Sequence, residues 1–404
     1  MIKTNTFTGR SILLKNQKEQ IFVLNQQIAE KILVYELKSN NYMEILYIDR
    51  GVIYDDRPPQ YEHYLKSKIH IIDEKNNRII FVKYSTHLIA DSGYSPFAIV
   101  GIDYKGTHLF CIELEEELEP ISIFAYKNGD LLLLGNYNRW LGKNGGKSYN
   151  CIMRISTNGN IIWKKTKELS CNEFDGTYQV WDYKDNENFH HEVSDWGRLF
   201  LTSDDKILIE TVDGNSKSIY KLYTSDNEFN ADLEGKSLYF QKIRSDSLIQ
   251  VDESYITIVE NSVPHIIRSI FDNDGKKLSE EKIFLKLRPQ KIDINIHGIA
   301  ALYPGYIKYQ NFSGIDLYIP LDAEAVTVIK SIFTSKPIIF LFESEEGKLA
   351  KTIKVFTREG VVETIVDTNE PGYIQVVCVH DKILCLWNDI MNRESMLFLS
   401  MGKI

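Results

Sequence analysis

One pattern recurs along most of the chain: a short β-rich run, a polar turn, and a second β-rich run. Residues 68–84 read KIHIIDEKNNRIIFVKY, turning at Lys75-Asn76-Asn77-Arg78. The pattern returns around Tyr104-Lys105-Gly106, Lys127-Asn128-Gly129-Asp130 and Thr157-Asn158-Gly159-Asn160, and later around Ser203–Lys206, Asp272–Gly275 and Pro304-Gly305. Asn-Gly between two hydrophobic runs is the strongest short-range hairpin signal, and a two-residue loop there requires positive φ at both central positions. The hairpins group in pairs. Four-strand units start near Ile21, Ile69, Ile121, Leu199, Leu248, Ile292, Val326 and Ile374, with most intervals close to 50 residues. That is about the length of a four-stranded propeller blade.

A sandwich would show alternation with one polar face on most strands. Here many runs are apolar on both faces, such as Leu131-Leu132-Leu133-Leu134 and Ile338–Phe342. Such runs suit strands packed between two neighbouring sheets. The expected fold is therefore all-β. It is a single β-propeller over residues 1–404, of seven (alternatively eight) four-stranded blades, with the N- and C-terminal strands closing the ring. Two segments keep a helical alternative: Ile21–Ile32, and Leu321–Ser335 (LDAEAVTVIKSIFTS). Short apolar runs do not separate helix from strand by period alone.

Blade three carries a more specific pattern. It reads ISIFAYKNGDLLLLGNY from Ile121 and CIMRISTNGNIIWKKTK from Cys151. Gly129-Asp130 precedes an inner strand, and the second hairpin ends Asn158-Gly159-Asn160-Ile161-Ile162-Trp163. This resembles the blades of bacterial PQQ-type β-propeller repeats. Ser156–Trp163 is also similar to the Asp-box of sialidase-like propellers, departing where Asn160 replaces a glycine. The resemblance covers about one blade and implies fold only. It carries over no catalytic residue and implies no cofactor.

Composition narrows the classes of function. The chain holds 47 Lys+Arg against 56 Asp+Glu, a net charge of −9. Nucleic-acid binders carry a basic footprint, so no nucleic-acid partner is expected. No run of apolar residues is long enough to span a bilayer, and Ile12–Leu14 is too short for a signal-peptide core. No membrane partner is expected on that ground. Of the five cysteines, Cys111, Cys151, Cys378 and Cys385 sit in apolar strand-like runs, and Cys171 does not. Buried free thiols and a cytoplasmic location are the expectation.

No Gly-x-Ser-x-Gly, His-Glu-x-x-His, Cys-x-x-Cys or dinucleotide fingerprint occurs. Gly142–Ser148 looks like a phosphate loop but has Leu141 where the first glycine belongs, and a strand follows it. The most irregular regions are two insertions, 137–150 and 171–198, both from the third and fourth units. The second, CNEFDGTYQVWDYKDNENFHHEVSDWGR, crowds aromatic and acidic residues together. Its candidate interface residues are Tyr178, Trp181, Asp182, Tyr183, His190, Asp195 and Trp196. Arg57 and Tyr61, in the Pro-rich segment 57–64, join them.

Aromatic anchors rimmed by charge suit a protein interface. Trp and Tyr with carboxylates also suit a carbohydrate or small ligand, and a purely structural insertion stays open. His190, Glu192 and Asp195 include imidazole and carboxylate donors, but adjacent residues of an extended strand point opposite ways and no second ligand cluster is visible. No metal, no cofactor and no catalytic residue are therefore expected. The expected function is a non-enzymatic cytoplasmic interaction protein, in a sharper form an acidic immunity-type protein that neutralises a basic partner. The alternative is a lectin or enzyme using the central funnel.

Overall fold

The computed structural model describes residues 2–27, 31–39, 41–49, 63–85, 97–115, 118–140, 145–168, 178–179, 196–212, 218–231, 235–238, 247–262, 264–314, 316–320, 326–332, 338–343, 352–357, 360–365, 373–379, 382–389 and 393–399. They form eight sheets, each built on four antiparallel strands. Of the two counts that the sequence spacing allows, the sheets number eight. Seven take their strands in chain order, covering residues 10–49, 63–113, 118–168, 196–238, 247–284, 291–320 and 326–365; these are blades 1 to 7. The eighth runs Tyr373–Val379, Lys382–Asp389, Glu394–Leu399, and then takes Ile2–Thr8 as its outermost strand. N- and C-terminal strands thus close the ring. Both ambiguous segments contribute strands: Ile21–Gln26 and Ile32–Leu37 in the first, Val326–Ile332 in the second.

The first strand of each blade lies innermost, and first strands of several successive blades lie against one another. Seven of the eight unit starts read from sequence fall on these innermost strands. Ile21 falls instead on the second strand of blade 1, because Arg10–Lys15 precedes it.

Packing follows from the period-2 alternation of side chains across a strand. In blade 3, Leu131 and Leu133 join the core shared with blade 2, while Leu132 and Leu134 join the core shared with blade 4. Blade 2 repeats this, sending Ile79 and Phe81 toward blade 1 and Ile80 and Val82 toward blade 3. A strand buried on both faces must be apolar on both, which explains the all-leucine run. Among the described residues, the interfaces from the eighth blade through blade 1 to blade 6 each carry a core of their own.

The closure adds a buried polar cluster. Asn388 Oδ1 accepts from Ser11 N at 2.7 Å and from Ser395 Oγ at 2.6 Å. Ser395 also lies 2.7 Å from the Gly9 carbonyl. Neither Asn388 nor Ser395 is more than 5% exposed, so these bonds supply the partners that burial takes from them.

The turns differ from the two-residue loops that Asn-Gly implies. Gly129 has φ +91° and Gly159 φ +81°, while Asn128 and Asn158 keep negative φ. In blade 3, Gly129 N donates to Tyr126 O at 3.0 Å and Tyr126 N to Asp130 O at 2.9 Å. This is a type I turn closed by a left-handed residue at a bulge, which needs only one positive φ. The same pair of bonds recurs at 16–20, 103–107, 156–160, 202–206 and 272–276. In those five the first residue is Asn, Asp, Ser or Thr, and its side chain accepts from the backbone N–H four residues on.

Candidate interaction face

Antiparallel order gives the ring two unlike faces. In each blade of chain-order strands, the first-to-second and third-to-fourth connections lie at one end. The second-to-third connection, and the passage to the next blade, lie at the other. The first end carries mostly tight turns and is laced from blade to blade. Gln17 N donates to Glu74 Oε1 at 2.5 Å, Arg78 Nη2 to Gly129 O at 2.6 Å, and Lys127 N to Asp205 Oδ1 at 3.0 Å. Ser203 Oγ continues the belt to Glu253 O at 2.5 Å. These bonds join blades 1 to 5 in succession and hold the turns of that face in register.

Blades 3 and 4 are braced further. Arg154 donates to Asp130 and Asp226, both at 2.6 Å, with its guanidinium 4.2 Å over the Tyr126 ring. Burial acts to lower the arginine's pKa, but the two carboxylates outweigh it and the net shift is upward. Asp226 opens the one-turn helix Asp226–Asn230, capped by Ser225, and also accepts from Trp163 Nε1 at 2.9 Å and Tyr126 OH at 2.8 Å. Burial and the neighbouring Asp226 push the Tyr126 hydroxyl well above its usual range. Trp163, the residue that carries the repeat-family resemblance, thus works as a strut between blades.

At the other face end the strands joined by the long connections 50–62, 86–96 and 169–195. Residues 137–150, expected as an irregular insertion, are instead mostly strand: Leu131–Trp140 and Gly145–Ile155 stay paired in a long hairpin as far as Trp140 and Gly146. One short strand ties the second insertion to this hairpin. Tyr178–Gln179 pairs in parallel with Gly145–Gly146 of the strand Gly145–Ile155. The backbone thus brings part of the second insertion onto the end of that hairpin. A lone two-residue parallel pairing has no place in the regular four-strand blade, and the periodic pattern gives no sign of it.

Of the nine candidate interface residues, Trp181, Asp182, Tyr183, His190, Asp195, Arg57 and Tyr61 lie outside the described residues. Tyr178 stands on the added strand, and Trp196 begins the innermost strand of blade 4, paired with Thr211.

The innermost strands carry three carboxylates, Asp73, Glu119 and Asp293, and cations that include Arg10, Lys15, Arg198 and Lys291, beside exposed Ile121 (42%) and Leu248 (40%). Asp73 is already bound to Arg78 at 2.6 Å with both side chains buried. Arg198 is engaged with Glu210 at 2.8 Å, Tyr220 OH at 2.8 Å, and both the carbonyl and hydroxyl of Ser247 on the next blade. Among the described residues no three His, Cys, Asp or Glu side chains are placed to hold a metal ion, and no helix is long and apolar enough to cross a membrane.

Four cysteines are free thiols, in strands as expected. Cys151 and Cys385 are buried, and burial pushes each thiol up to about 12. Cys111 corrects the expectation of burial. It is exposed, on the outward side of His108–Glu113 between buried Phe110 and Ile112. The acidic run 113–119 holds two apolar residues. Leu114 and Leu118 are buried anchors, and Glu115 receives Lys164 at 3.1 Å.

No family model matches the chain, and no curated protein does. Solved structures are similar in fold. Prolyl oligopeptidase B from Galerina marginata, bound to a 35mer hydrolysis and macrocyclization substrate, aligns over 95% of this chain and 55% of its own, with 12% identity and a TM-score of 0.50. A prolyl endopeptidase aligns over the same shares with 8% identity and a TM-score of 0.48. A protein of unknown function from Bacteroides caccae aligns over 85% of this chain and 94% of its own, with 9% identity and a TM-score of 0.34. The chain spans 55% of the length of the two peptidases. At these identities the likeness shows the β-propeller fold alone, and function must be argued from the site.

Proposed function

We propose that this chain is a non-enzymatic cytoplasmic interaction protein that captures a basic partner protein on the face bearing its long connections. The observation that carries the reading is the pairing of Tyr178–Gln179 with Gly145–Gly146. It sets Tyr178–Gln179 of the second insertion beside the end of the long hairpin Leu131–Ile155, opposite a face whose turns are laced together. A rigid ring with one elaborated face is the usual division of labour between scaffold and binding loops. The second insertion, 171–198, holds seven acidic residues against two basic ones, so its field attracts a cationic partner. Its Trp and Tyr residues supply the anchors on which interface energy concentrates.

In its sharper form this is an immunity-type role, in which an acidic protein neutralises a basic toxin. We also read blade 3 as kin to PQQ-type and Asp-box repeats, a relation of fold that leaves this role unchanged. The test is affinity capture from native lysate at low salt. The proposal expects one basic protein retained in near-stoichiometric amount and released as salt rises. Capture of no such protein would overturn it.

A further inference from the structure

A second region of the same face has the opposite character. Residues 282–291, leading onto that face, carry four basic side chains and no acidic one, in a chain whose total is −9. The outermost strand of blade 5, Lys277–Phe284, neutralises part of this within itself, because Lys282 pairs with Glu280 at 3.0 Å. Beyond the strand the balance changes. The passage to blade 6 projects Lys286-Leu287-Arg288, all exposed, and neither cation meets an acidic side chain among the described residues. Leu287 is 63% exposed and the adjoining Phe284 52%. The loop is held at both sides: Leu285 is buried and bonds Pro264 O at 2.8 Å, and Tyr303 OH donates to Leu287 O at 3.3 Å. From Tyr303 the rings of Tyr306 and Tyr318 follow at 5.0 and 6.0 Å, and Tyr318 is 61% exposed.

We propose that this corner docks on an anionic lipid bilayer. The pieces are those of an interfacial anchor: aliphatic and phenyl groups at a projecting tip, unpaired cations beside them, and a tyrosine at the margin. Charge complementarity selects an anionic surface. The exposed leucine selects hydrocarbon over nucleic acid, whose bases reward stacking rings but give an aliphatic side chain little. It also selects hydrocarbon over a protein hot spot, where leucine is under-represented. The absence of a spanning run bears only on crossing a membrane, and the inference concerns lying against one.

Co-sedimentation of the full chain with phosphatidylserine-containing vesicles tests this, against vesicles of phosphatidylcholine alone. The expected result is binding to the anionic vesicles only, weakening as salt is raised. The variant Lys286→Glu/Arg288→Glu should bind at least about 25-fold more weakly, at about fivefold per cation removed. Leu287→Asp should also weaken binding at least tenfold by the same vesicle assay, with an unchanged circular dichroism melt. Lys18→Glu, on the laced face, should bind as the parent does. Equal binding to both vesicle types, no binding, or a Lys18→Glu loss as large as that of the double variant would overturn the proposal. So would a gel shift with single-stranded RNA or polyglutamate that the same variants abolish while vesicles fail to bind.

Discussion

The ion pair between Lys83 and Asp49 gives the sharpest test of the packing between blades. Lys83 Nζ lies 3.0 and 2.9 Å from the two Asp49 oxygens, with side chains only 6% and 7% exposed. It joins the second strand of blade 2 to the last strand of blade 1. Desolvating both charges costs nearly what their attraction returns, so the pair as a whole contributes little. Each partner alone is another matter. Lys83→Met leaves a buried carboxylate, and Asp49→Leu leaves a buried ammonium, each costing about 3–5 kcal/mol. The double variant should return to within about 1–2 kcal/mol of the parent, giving a large coupling energy. Urea unfolding at neutral pH, followed by circular dichroism, measures all four corners of the cycle. Single variants that each lose less than about 1 kcal/mol would refute the reasoning, because exposed pairs behave that way.

Three further outcomes follow from the same structure. Asn388→Ala removes the acceptor of the buried Ser11 N–H at the ring closure, and should cost about 1–3 kcal/mol in the same urea assay. Gly106→Ala should cost about 3 kcal/mol, since φ is +83° and a Cβ would sit 2.1 Å from Leu46 O on the neighbouring blade. Mass spectrometry after maleimide labelling at pH 8 should find Cys111 modified in the native protein, and Cys151 and Cys385 modified only after unfolding. With thiols at about 12, thiolate at that pH is about one part in ten thousand. The linkage has a definite sign. Folding raises these thiols above the ordinary value of about 8.5, so their contribution is complete below that pH and is lost as pH rises toward about 12.

Most of the architecture is written in local chemistry, and so can be read from the chain. Apolar runs on both faces of Leu131–Leu134 announce a strand between two sheets, and the buried leucines divide between two cores as that requires. The unit starts succeed wherever glycine or a short polar turn follows the innermost strand. Blade 1 is the exception: its start is read at Ile21, on the second strand, although its first turn, Asn16–Gln20, is as polar as those of blades 2 and 4, with Glu19 in the left-handed position at φ +62° as Asn77 and Asp205 are there. The exposed Cys111 was legible too, since His108–Glu113 alternates and its buried neighbours point the other way.

What stays hidden is long-range. Trp163 meets Asp226 and Arg198 meets Ser247 across blade boundaries, and no spacing within one blade encodes either contact. The pairing of Tyr178–Gln179 with Gly145–Gly146 is hidden for the same reason: two residues hold no period. The anchor-like corner at Lys286–Arg288 escaped a reading based on total charge, because its local sign opposes the sign of the whole chain.

The central claim is that binding belongs to the elaborated face and scaffolding to the laced one. Partner capture should therefore be compared between two variants, each first shown by circular dichroism to keep its fold. In one, residues 171–195 are replaced by a short Gly-Ser linker. In the other, Lys127→Glu and Asp205→Lys alter the laced face. The account predicts that the first loses the partner and the second retains it. Capture that survives loss of the insertion, or fails on altering the laced face, would contradict it.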